Sequence, residues 1–98
     1  MSDAPIVRRY VMACTEADFH RLLGAAMGPY CYDAAERSFA HATSERSWRL
    51  SLADAGERRI AQWRMKLTEV TFSFRGYAEA EVEVLMRRFF LYFQRGGG

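Results

Sequence analysis

Two cysteines, two prolines, two histidines and a single lysine, Lys66, are all that 98 residues hold of those types. Cys14 and Cys31 are too few for a disulfide scaffold in a chain of this size, so both are expected to be reduced thiols. No apolar run approaches the roughly eighteen residues a membrane span requires. The opening MSDAPIVRRYVM lacks the charged start, apolar middle and small-residue cleavage site of a secretory signal. A cytoplasmic protein without membrane contact is therefore expected. AGERR and RGGG match neither the P-loop nor the dinucleotide pattern, so no phosphate loop and no cofactor are expected. The spacings among His20, His41, Cys14 and Cys31 fit no compact zinc ligand pair, and no metal is expected. Serines and acids are scattered with only two histidines to serve them, which leaves catalysis unsupported.

What is present is a globular composition: 50% hydrophobic, 14% aromatic and 27% charged. Disorder is excluded by that balance, and a chain of this length has room for one core. Fourteen basic and twelve acidic residues are interleaved, for a net charge of +2, so no strong field toward polyanions is expected. Every basic residue except Lys66 is arginine and alanine is abundant, which fits a GC-rich bacterial genome as well as it fits selection for guanidinium chemistry.

Ile6 to Ala13 is short and rich in β-branched and aromatic residues, and reads as a strand near a sheet edge. Thr15 then has the chemistry of an N-cap, Asp18 completes a capping box, and Cys14 and Phe19 stand at the two positions of a hydrophobic staple. Phe19, Leu22, Leu23, Ala26 and Met27 follow helical spacing and Gly28-Pro29 ends it, so a helix is predicted over Thr15 to Met27. Cys14, just before a helix N-terminus, is a candidate reactive thiol by position, although packing against Phe19 explains it equally. A loop and a strand around Arg37 to Thr43 follow, then a half-buried strand from Ser47 with Trp48, Leu50 and Leu52 alternating.

DAGE, Asp54 to Glu57, has hairpin-turn composition, with strands expected over Arg58 to Met65 and Glu69 to Phe74. Between them the apolar positions change parity, from Trp63, Met65 and Leu67 to Val70, Phe72 and Phe74. Either a turn lies near Lys66 to Glu69 or one long strand is bulged, and usual strand lengths favour the turn. A second helix is expected from about Ala78 to Gln94, acidic at its start and basic at its end, with Val82, Leu85, Met86, Phe89 and Phe93 buried. The order β-α-(β)-β-β-β-α implies an α+β two-layer sandwich: an antiparallel sheet of four to five strands with two helices on one face.

FFLYF spreads large side chains around most of this second helix, and Val84 and Leu91 fall seven residues apart outside the main stripe. A soluble monomer rarely leaves such a patch in water, so a homodimer or protein partner is expected there, through Val84, Arg88, Leu91 and Tyr92. The alternative is single-stranded nucleic-acid binding by a sheet face bearing Arg49, Arg58 and Arg64, with Trp48 or Trp63 as stacking platforms. The core order α-β-β-β-α is similar to that of double-stranded-RNA-binding domains, but the second helix opens with AEAEVE where those domains place basic residues against phosphate. The terminal GGG resembles the tail of ubiquitin-like carriers, which would imply activation of the Gly98 carboxylate. There the tail leaves a strand, whereas here a helix precedes it. Gly96 as a helix cap ending in a flexible tail over 96–98, and a cloning remnant suggested by LYFQ, are the other readings.

Overall fold

A computed structural model describes residues 4–96. In chain order its elements are β1 (Ile6–Met12), α1 (Glu16–Met27), β2 (Cys31–Asp33), β3 (Ser38–Ala42), β4 (Ser47–Ile60), β5 (Trp63–Arg75) and α2 (Glu79–Gly96). The five strands form one antiparallel sheet ordered β1-β5-β4-β3-β2. The α+β two-layer reading holds.

Alternation along the central strands decides which face is covered. Phe39, Trp48, Leu50, Leu52, Val70, Phe72 and Phe74 are buried on one side of the sheet, against Phe19, Leu23 and Ala26 of α1 and Val82, Met86, Phe89 and Phe93 of α2. Burying one such side chain stabilises by about 1.5–3 kcal/mol, so this single cluster is the main source of folding free energy. Aromatic rings interlock within it: Phe19 lies 4.8 Å from Phe93 and Phe89 lies 4.9 Å, edge-on, from Phe72.

The helix start is as its sequence requires. Thr15 Oγ1 accepts from the Asp18 N–H at 3.2 Å, and an Asp18 carboxylate oxygen accepts from the Thr15 N–H at 2.9 Å. At α2 the Glu81 carboxylate accepts from the Ala78 N–H at 2.8 Å, which satisfies one orphan donor without a hydroxyl residue.

Three expectations need correction. Cys31–Asp33, expected as loop, is a short edge strand against β3. DAGE is no hairpin turn: pairing passes from Asp54↔Thr68 to Glu57↔Lys66, so two residues oppose one, and Gly56 adopts φ +89° in the bulge. Nor is there a turn near Lys66 to Glu69. β5 runs unbroken and the hairpin closes at Ala61-Gln62, with Ala61 at φ +54°. The parity change has another cause. From Thr68 to Phe74 the large side chains face the helices, while Trp63, Met65 and Leu67 fall on the opposite face.

β4 and β5 thereby continue past their neighbours. β1 pairs with β5 only as far as Thr68, and β3 pairs with β4 only as far as Ser51. Beyond that the chain is a two-stranded arm, and the molecule measures 51 × 29 × 24 Å.

Candidate interaction surfaces

Large apolar side chains are exposed on α2, on the arm and, as Val7 and Val11, on β1. On α2, Val84 is 60% exposed and Leu91 55% exposed, and Tyr92 also reaches solvent. Their seven-residue spacing places Val84 and Leu91 on one stripe, turned away from the buried Val82, Met86, Phe89 and Phe93. Val84 also borders an open groove of about 550 Å³, whose apolar wall includes Met27, Tyr77 and Leu85 and whose rim holds Arg46 and Glu81. Those rim residues are ion-paired at 2.8 Å, and the Arg46 guanidinium lies 4.7 Å from the centroid of the Tyr77 ring. Hydrogen bonding to the Ala78 N–H, aided by Arg46, holds the Glu81 carboxyl below its usual range.

Arg88 has a task within the fold. Its guanidinium donates to the Ala25 carbonyl at 3.1 Å, in the last turn of α1, where the helix has no basic residue of its own. It therefore supplies the positive charge that a helix C-terminus favours, and sits 5.9 Å from the Tyr92 ring centroid. All four α2 residues are exposed, and Arg88 in addition ties α2 to α1.

The second region is the arm. Register puts Ile60↔Trp63 and Arg58↔Met65 on the face away from the helices, and Glu57↔Lys66 and Arg59↔Arg64 on the other. Trp63 is 76% exposed and Ile60 is exposed beside it, whereas Met65 and Leu67 are half-buried. At the base of the arm, Arg37 ties the turn before β3 to α1 and β4: its guanidinium donates to Glu16 of α1 at 3.1 Å and to Asp54 of β4 at 3.3 Å, and its carbonyl accepts from the Leu52 N–H of β4 at 3.0 Å. The Tyr32 hydroxyl donates to the same Glu16 carboxylate.

The residues expected to bind nucleic acid do not form one face. Trp48 is buried, 3% exposed, because its parity in β4 turns it toward the helices, and it offers no stacking platform. Arg49 lies on the open face of the main sheet, where it donates to Ser38 Oγ at 3.2 Å. Arg58 and Trp63 share the apolar face of the arm, and Arg64 falls on the reverse.

Cys14 is buried at the entrance to α1. Burial pushes its pKa up and the Asp18 carboxylate pushes the same way, so both oppose the helix N-terminus. Its carbonyl accepts from the buried Thr68 hydroxyl at 2.7 Å, and its side chain belongs to the core. His20 packs edge-on against Tyr32 and Phe39, at 4.4 and 5.0 Å between centroids. α2 continues through Gly96, so that glycine closes the helix from within; Gly97 and Gly98, and with them the carrier reading, lie outside the described residues.

In sequence the arm shows only as the parity change between Leu67 and Val70, a signal that a turn between two short strands would give equally. Among the described residues no helix is long and apolar enough to cross a membrane. No protein-family model, curated protein or solved structure matches this chain.

Proposed function

We propose that this protein acts by association: a cytoplasmic homodimer or accessory subunit that presents a surface and performs no chemistry of its own. The observation that carries the reading is the exposure of Val84 and Leu91 on one stripe of α2, beside an apolar groove. Covering each of them is worth about 1.5–3 kcal/mol, and a stripe with a groove beside it gives a partner both an anchor and a recess.

The test is light scattering over a wide concentration range, alone and with candidate partner proteins, on the natural chain and on Leu91→Asp. Leu91 is exposed in the monomer, so Leu91→Asp should change folding stability by no more than about 0.5 kcal/mol. Loss of whatever association runs through this stripe, without loss of fold, is the expected result. A chain that neither self-associates nor binds a partner through this stripe would end the reading.

A second reading retains single-stranded nucleic acid, now limited to Arg58 and Trp63 on the arm and Arg49 on the sheet. It is favoured by the exposed indole of Trp63. Its signature is an oligonucleotide affinity that falls steeply with salt and is lost in Trp63→Ala.

A further inference from the structure

We infer that the β4–β5 arm is a dimerisation device whose apolar face packs, about a twofold axis, on the same face of a second copy of this chain. This rests on the association reading and assigns self-contact to the arm and open sheet face instead of to α2.

An isolated two-stranded ribbon is marginal in water, and this one carries a like-charged cross-strand pair, Arg59↔Arg64, near its tip. Its own helices lie on the other side of the sheet. One face of the arm is nonetheless built as a core surface, with Ile60, Trp63, Met65 and Leu67 and the single charge Arg58. Sheets pack face to face with strand directions within about 30° of each other, so an apolar ribbon face suits the open face of a second sheet.

Charge sets the register. Arg58 lies on this face beside Met65, and Glu69 lies on it beside Val11 and Ala53. Neither Arg58 nor Glu69 is in an ion pair within the chain among the described residues. With Leu67 on the twofold axis, each step toward the tip of one copy meets an equal step toward the body of the other. Arg58 and Met65 then meet the partner's Glu69 and Val11, twice by symmetry, and Trp63 covers the partner's Arg9 and Thr71. The exposed Val11 is covered in the same step.

A nucleic acid or an anionic lipid surface fits less well. It would want cations beside the apolar side chains, whereas Arg59, Arg64 and Lys66 lie on the reverse face with Glu57.

The experiment uses the full chain and its own fluorescence. Trp48 is buried, so a change in emission on association reports Trp63. Sedimentation should show a dimer, with Trp63 emission shifting to the blue as dimer forms. Leu67→Asp should give a monomer with the native circular dichroism spectrum. Arg58→Glu should weaken the dimer at least tenfold, and the exchange Arg58→Glu with Glu69→Arg should restore it, a rescue that mere misfolding would not produce. A dimer that survives Leu67→Asp but is split by Leu91→Asp would overturn this inference and leave the α2 reading standing. A monomer at every concentration would overturn it and remove self-association from that reading as well. A blue shift of Trp63 with oligonucleotide or anionic vesicles, while the chain stays monomeric, would overturn it in favour of that partner.

Discussion

Gly76 shows how much one residue fixes. It has φ +80°, and a Cβ placed there would stand 2.4 Å from the Glu45 carbonyl oxygen and 2.8 Å from the Arg46 Cβ. Both conformation and space forbid a side chain, so Gly76→Ala should cost roughly 2 kcal/mol or more, read as a lower midpoint in urea unfolding. Asp18 governs a pH effect. Its hydrogen bond to the Thr15 N–H is the chief cause that lowers its pKa. A carboxylate with a depressed folded pKa contributes stability above its unfolded value, and that contribution is lost as pH falls through the folded one. Asp18→Asn should therefore destabilise by about 1 kcal/mol at neutral pH. The gap from the natural chain should close as pH falls from about 4 through the depressed value. The thiols should separate kinetically: Cys31 is exposed and Cys14 buried, so a thiol reagent should modify Cys31 at once and Cys14 only as the core opens.

At the scale of the element, α2 carries two kinds of apolar side chain that sequence spacing already separates. Phe89 is fully buried between α1 and the sheet, and Phe89→Ala should cost about 3–5 kcal/mol in thermal or denaturant unfolding. Leu91→Asp, two residues on, should cost little stability and act only on binding through the exposed α2 stripe. Such distinctions were legible because a helix has one period, so membership of the buried stripe follows from position. The N-terminus of α1 was legible for a similar reason, since Thr15 and Asp18 bond within four residues of each other. The β4–β5 hairpin was less so. DAGE has turn composition, yet Gly56 serves as well in a bulge, and local chemistry does not distinguish the two when both ask only for positive φ. Ala61, the residue with positive φ at the true turn, is a type that no turn rule selects.

For the whole molecule, the consequence is a compact body with an arm whose apolar side is opposite to the body's own core. Chain composition alone determined an ordinary globular fold, and hydrophobic periodicity determined two helices, an antiparallel sheet and most of the buried residues, because those depend on contacts each element makes along one face. The sheet order decided the rest. Which strand ends have neighbours, and so where the sheet stops being covered, depends on pairings between residues far apart in the chain, such as Ile6↔Phe74. Only that long-range pairing sends Trp48 into the core and leaves Trp63 in water, although both tryptophans lie in strands and read alike in the sequence. The physical reason is that a strand's period of two tells which residues share a face, and says nothing about which face the rest of the chain will cover.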